Sequence, residues 1–100
     1  MRLLDVRKIQ IGANTNINYG CTIDGRGAGV YIGNNVDIAP QVNIWSLEHD
    51  PDSPNHESRT APVHISDWAW LANRSIILPG TTIKEGAVVG AGSIVKGKVE

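Results

Sequence analysis

The stretch Ile77-Leu78-Pro79-Gly80-Thr81-Thr82-Ile83-Lys84-Glu85-Gly86-Ala87-Val88-Val89-Gly90-Ala91-Gly92-Ser93-Ile94-Val95 decides the fold. A large aliphatic residue recurs at every sixth position: Ile77, Ile83, Val89 and Val95. The third and fourth positions of each frame are Pro79-Gly80, Glu85-Gly86 and Ala91-Gly92, and the fifth is small: Thr81, Ala87, Ser93. Glycine accepts positive φ and Pro-Gly pairs favour turns, so the chain can bend sharply once per frame. Each six-residue unit therefore reads as a short strand followed by a corner.

The same frame extends toward the N-terminus. Leu71 and Ile65 continue it directly. Beyond a long insertion it resumes at Ile44, Ile38 and Ile32, and beyond a three-residue insertion at Ile23, Ile17 and Ile11. All twelve frames start with a large aliphatic, and these twelve residues form the expected inward column. The fifth position reads Thr15, Cys21, Val36, Val42, Ala69, Ser75, Thr81, Ala87, Ser93 and Val99, and Asn34-Asn35 supplies another corner. Three such units close a triangular coil, and coils stack at about 4.8 Å, so twelve units predict about four coils, roughly 19 Å high. Apolar spacing of three and four residues is not sustained, which excludes helices, and a strict period of six excludes an antiparallel sandwich.

The rest of the composition narrows the setting. One hundred residues predict a single domain, 1–100, with the insertion at about 48–60 projecting as a loop. The chain has no Phe and a net charge of −1, and no basic footprint for nucleic acid. Met1 to Gly12 carries Arg2, Asp5, Arg7 and Lys8 and does not read as a secretory signal. No run is long enough for a membrane helix, and one cysteine makes no internal disulfide. Cys21, at a small fifth position, reads as a buried structural thiol. A cytoplasmic location is the expectation from these features.

The frame [Ile/Leu/Val]-[Gly/Ala]-x-x-[small]-x, and the stretch from Ile77 to Val95 in particular, resembles the hexapeptide-repeat acyltransferases. Within them the chain is most similar, over about residues 9 to 99, to the maltose, galactoside and colanic acid O-acetyltransferase group. This resemblance implies an all-β, left-handed parallel β-helix. Handedness comes from the resemblance alone, since parallel crossovers are otherwise nearly always right-handed. It also implies acetyl-CoA as acyl donor, a sugar or similar small hydroxyl acceptor, a homotrimer, and no metal. Two stretches depart from the pattern. The chain reads Lys96-Gly97-Lys98 where the family continues Thr-Lys-Asp, and the family's Gly-Asn-Pro-Ala tail, which helps bind CoA, is absent from these residues.

In that group the loop interrupting the helix carries the catalytic histidine, and Ile44-Trp45-Ser46-Leu47-Glu48-His49-Asp50-Pro51 stands at this place. His49 is thus the candidate general base, with Glu48 or Asp50 to orient it. An imidazole titrates near neutrality and can accept the proton of an attacking hydroxyl. His56, in a polar insertion, reads as a solvated loop residue, and His64 as an outward strand residue. Asn18 and Asp24 match acceptor-binding positions, although Asn and Asp at corners also bond their own backbone. Trp70 matches a tryptophan beside the CoA arm, in a segment whose family glycine is Ala72 here. Ala72, Asn73 and Ala91 match positions where that arm runs along the coil through backbone hydrogen bonds. Trp45 and Trp68 read as packing residues. Two alternatives remain open from the residues: a zinc enzyme like the γ-class carbonic anhydrases, using the three histidines, and a non-catalytic β-helix module.

Overall fold

A computed structural model describes residues 1–100. The chain winds into a triangular prism of parallel strands with three walls. Wall A stacks Arg2–Leu4, Thr22–Asp24, Asn43–Trp45, Ile76–Ile77 and Ile94–Val95. Wall B stacks Ile9–Ile11, Val30–Ile32, Val63–Ile65, Thr82–Ile83 and Lys98–Val99, and wall C stacks Asn16–Ile17, Asp37–Ile38, Trp70–Leu71 and Val88–Val89. Successive strands in sequence lie on successive walls, and every hydrogen-bonded neighbour within a wall is one coil away.

Register places the repeating aliphatics directly above one another: Ile17, Ile38, Leu71 and Val89 on wall C, and Leu3, Ile23, Ile44, Ile77 and Val95 on wall A. Nine of the twelve expected column residues are buried, among them Ile23, Ile38, Ile44, Leu71, Ile77 and Ile83 with no accessible surface. The other three correct the expectation. Ile11 is exposed, and Ile17 and Val95 are only partly buried. All three sit on strands at the edge of their sheets, where a neighbouring coil covers one side only. Cys21 is buried, with Sγ 3.3 Å from the carbonyl oxygen of Ala39.

Two terminal segments also depart from the sequence frame. Arg2–Leu4 joins wall A, and the 3-10 turn Val6–Lys8 makes the following corner. The last corner is short. Ile83 pairs with Val99, sixteen residues on, whereas Ile65 pairs with Ile83 eighteen residues on. Lys96-Gly97, with Gly97 at φ 86°, makes this tight turn, and Val99 moves from the small fifth position to the large inward one, packing on the core.

Corner geometry explains the turn residues. At the corner leading from wall B to wall C, Asn14, Asn35, Trp68 and Gly86 all hold positive φ, between 58° and 73°. Asn and Gly suit this left-handed conformation, and a bulky Trp does not. Trp68 is 63% exposed, so it is not the packing residue its sequence suggests. Trp45 is half-buried.

The long insertion leaves wall A after Trp45 and forms an antiparallel hairpin, Leu47–His49 against Ser58–Thr60, with the pairs Leu47–Thr60, Glu48–Arg59 and His49–Ser58. The expected loop is therefore an ordered ribbon whose only irregular part is its tip. Its base is fastened to the preceding coil. Ser46 Oγ donates toward the carbonyl oxygens of Asp24 and Arg26, at 2.7 and 2.8 Å, and Thr60 Oγ1 bonds the Ser46 carbonyl at 2.6 Å while accepting from the Ala28 N–H at 2.7 Å. No helix in the chain is long and apolar enough to cross a membrane.

Candidate active site

The hairpin sets the position of His49. Asp50 N–H donates to the Glu57 carbonyl, and two turns, closed by Ser53 N–H to Asp50 and His56 N–H to Ser53, bring the chain round. His56 then takes φ 51°, a conformation in which Asn, Asp and His are enriched. This places its carbonyl oxygen 2.8 Å from His49 Nδ1. A carbonyl oxygen only accepts, so Nδ1 carries a hydrogen, and in the neutral ring the lone pair is on Nε2. The side chain of His49 is exposed, with Nε2 free to face a reactant.

Neither Glu48 nor Asp50 makes a direct hydrogen bond to the ring, the contact the sequence reading offered them. Glu48 Oε2 accepts from Arg59 Nε at 2.7 Å and Lys96 Nζ at 3.1 Å, and Asp50 Oδ1 lies 3.6 Å from an Arg59 nitrogen. Partial burial opposes the charge of Glu48, but the hydrogen bonds and charges of Arg59 and Lys96 hold its carboxyl below the usual range. The direct hydrogen-bond partner of the His49 ring is His56, through its main chain. A backbone contact made by a turn conformation leaves no side-chain signature in the sequence.

Asp24 corrects the sequence reading. Its side chain is fully buried and clamped by Arg26, with Nε 2.9 Å from Oδ1 and the terminal nitrogen 2.7 Å from Oδ2, and the Arg26 N–H donates to Oδ1 at 3.0 Å. Burial pushes this carboxyl up, but those bonds, with the charges of Arg26 and Arg2, outweigh it and hold it low. Asp24 is thus an internal anchor that cannot reach an acceptor directly, and the half-exposed Arg26 is the group it presents at the surface.

Asn18 is exposed, at the corner after the first strand of wall C, and its Nδ2 donates to the Ile38 carbonyl at 2.8 Å. Its Oδ1 remains open. Directly along this corner runs a groove lined by Tyr19, Gln41, Asn73, Arg74, Ala91 and Gly92. Arg74 Nε is tied to Gln41 Oε1 at 2.9 Å. The N–H groups of Asn73 and Ala91 have no partner within the chain, whereas Ala72 N–H is committed to the Val89 carbonyl. Two of the three expected backbone contacts are therefore available, and Ala72 contributes only a small side chain. Trp70 does not line this groove. It stands half-exposed on wall C, beside Asp37 and Trp68 in a separate depression.

The candidates thus fall on two corners of the prism. His49 rises from the corner between walls A and B, and Asn18, Asn73 and Ala91 lie on the corner between walls C and A. Within one chain wall A separates them. His64 is on wall B, its ring stacked on Tyr31 at 5.1 Å, and no three His, Cys, Asp or Glu side chains of the chain are grouped to hold a metal ion.

No family model matches the chain. It is 38% identical over 90 residues to the galactoside O-acetyltransferase of Escherichia coli strain K12, covering 87% of this chain and 44% of that protein. Among solved structures, a hexapeptide-repeat acetyltransferase of Vibrio cholerae O1 biovar eltor complexed with acetyl coenzyme A superposes with a TM-score of 0.90 and 30% identity, covering 98% of this chain and 55% of that one. A maltose O-acetyltransferase from Clostridium difficile 630 gives a TM-score of 0.87 and 32% identity, covering 99% and 54%. The chain spans about half the length of each. Over that span the coil is the left-handed parallel β-helix of these proteins.

Proposed function

Because the chain belongs to the hexapeptide-repeat, left-handed β-helix family of acetyltransferases, we propose that it carries the coil and catalytic hairpin of an enzyme that moves an acetyl group from acetyl-CoA to a hydroxyl of a sugar or similar small acceptor. One observation carries this reading: the His56 carbonyl fixes the tautomer of His49 and leaves Nε2 as an outward-facing base. That Nε2 takes the hydroxyl proton as the acceptor oxygen attacks the thioester carbonyl. A tetrahedral oxyanion forms, and backbone N–H groups stabilise its charge. As the C–S bond breaks, the protonated Nε2 returns the proton to the departing CoA sulfur. The acetyl group passes directly, with no acyl-enzyme.

The groove at the other corner suits the donor. Asn73 and Ala91 offer unpaired N–H groups along the groove, and the small pair Ala91-Gly92 lets an extended pantetheine arm lie close to the backbone there. The open Oδ1 of Asn18 is the proposed acceptor contact, and Arg26, held by Asp24 at the hairpin's own corner, is proposed as a second.

A homotrimer reconciles the two corners. A neighbour's corner carrying Asn18, Asn73 and Ala91 would meet this chain's hairpin, so each site takes residues from two subunits. The exposed apolar side chains Trp70, Val88 and Ile94, 49%, 56% and 67% accessible, favour such packing. Light scattering on the whole protein is expected to give three copies, and a monomer at micromolar concentration would contradict the assembly. Galactosides and maltose are the first acceptors to assay, since relatives are named for them. His49→Ala is expected to lower kcat by about 10²–10⁴ while CoA binding persists. Unchanged acetylation by that variant would refute the mechanism.

A further inference from the structure

Neighbouring residues of a strand point to opposite faces of a ribbon. His49 and Glu48 are neighbours in the hairpin, and the side chain of His49 is exposed while that of Glu48 is partly covered. Glu48 is engaged from two directions. Arg59 comes from directly across the hairpin. Lys96 comes from the last corner between walls A and B, forty-eight residues later. The hairpin leaves the prism two coils earlier, after Trp45, and the corner Pro79-Gly80 lies between. The ribbon therefore lies along the edge of the prism for about 10 Å, over a recess lined by Ala61, Pro79, Gly80 and Gly97.

The fastenings of the hairpin are unequal. Its base is bonded to the preceding coil through Ser46 and Thr60. To the coils that follow, its one side-chain hydrogen bond is Glu48 to Lys96. Ribbons held at the base alone can rock about that base. A bond to the far coil removes this freedom one residue away from His49.

We propose that Glu48, held by Lys96 and Arg59, is a positioning residue that fixes the height and tilt of the His49 ring along the prism edge. The inference rests on the reading of His49 as the base, and adds a named cluster to it. Exposed ion pairs contribute little to stability. A misplacement of about 1 Å in a reacting group costs up to roughly a hundred-fold in rate. The cluster should therefore matter to turnover far more than to folding.

The test uses the whole protein with acetyl-CoA and its best galactoside or maltose acceptor, together with NMR of the His49 ring. Glu48→Gln and Lys96→Met are each expected to lower kcat about ten- to hundred-fold, with KM for acetyl-CoA unchanged and Tm shifted by about 4 °C or less. The double variant should be no slower than the slower single variant, and Lys96→Arg should retain activity. The His49 Cε1–H signal, assigned by its loss in His49→Ala, should be single and sharp in the wild type and broadened in Glu48→Gln. If Glu48→Gln and Lys96→Met turn over at the wild-type rate while His49→Ala is inactive, the positioning role fails and the base stands. If His49→Ala is itself fully active, both fail. An unchanged His49 signal in Glu48→Gln overturns the proposal without recourse to any acceptor.

Discussion

His49 Nδ1 lies 2.8 Å from the carbonyl oxygen of His56, seven residues away across the hairpin tip. The contact is made by main chain on one side, and the His56 ring stands edge-on to that of His49, with centroids 6.5 Å apart. It predicts that His49 in its neutral form is the Nδ1–H tautomer. Long-range ¹⁵N–¹H spectra of the ring should show a pyrrole-like Nδ1 and a pyridine-like Nε2. The reverse pattern would remove the basis for Nε2 as the proton acceptor.

Position along the prism should govern the cost of core truncation. Leu71 has coils above and below and no accessible surface, and Leu71→Ala is expected to cost about 2–5 kcal/mol. Ile11, in the same frame but on an edge strand and 41% exposed, should cost about 1 kcal/mol or less when truncated. Chemical denaturation of the two variants measures the difference. Equal losses would mean that the terminal coil is covered in solution.

The buried Asp24 carboxylate makes a pH-dependent contribution. Its folded pKa is depressed, so its stabilisation is complete above the ordinary carboxylate value of about 3.9 and is lost as pH falls through the lower folded value. In Arg26→Met the buried charge loses its partner. The expected result near neutrality is a loss of stability, moderated because Arg26 is half-exposed and screened. Burial then dominates and raises the carboxyl, so the variant's deficit should shrink as pH falls toward about 4. Denaturant midpoints followed with pH test this, and Asp24→Asn in the same background should restore part of the loss.

Gly27 is where the hairpin base demands a glycine. Its φ is 84°, and an added Cβ would press into the Oγ1 and Cβ of Thr60, the residue that fastens the hairpin. Gly27→Ala is expected to lose about 1–2 kcal/mol from backbone conformation alone, and more from displacing Thr60. Gly86, also at positive φ, has open space around it and stands in a column with Asn14 and Asn35. Gly86→Asn should therefore be nearly neutral. Thermal unfolding of both separates steric from conformational cost.

The coil itself was legible because burial repeats every six residues and leaves the same trace at Ile23, Ile44, Leu71 and Ile83. Legibility failed where neighbours are unequal. Ile11 and Val95 carry the pattern but have a coil on one side only, and Val99 carries it two residues early because Lys96-Gly97 shortened a corner. His49 could be named from its place in the insertion, yet its partner could not, since any residue type offers a carbonyl. Asp24 was misjudged because a sequence shows an acid near a corner but not the arginine folded onto it. Trp70 was assigned to the donor arm through the family resemblance of its segment, and the prism turns a corner between it and the groove that holds Asn73.

Changes in chain length fall at the corners and never within a stacked strand. The corner after Asp24 absorbs three extra residues, the one after Trp45 a whole hairpin, and the one after Val95 loses two, while every wall keeps its register. A single residue added within a strand would turn its aliphatic to the outside. This gives a map for protein engineering. A fluorescent reporter, an affinity handle or a flexible linker grafted at the tip between Pro51 and Asn55 should leave the scaffold intact. The same graft at the corners holding Asn73 or Ala91 would obstruct the groove, and these should be left alone.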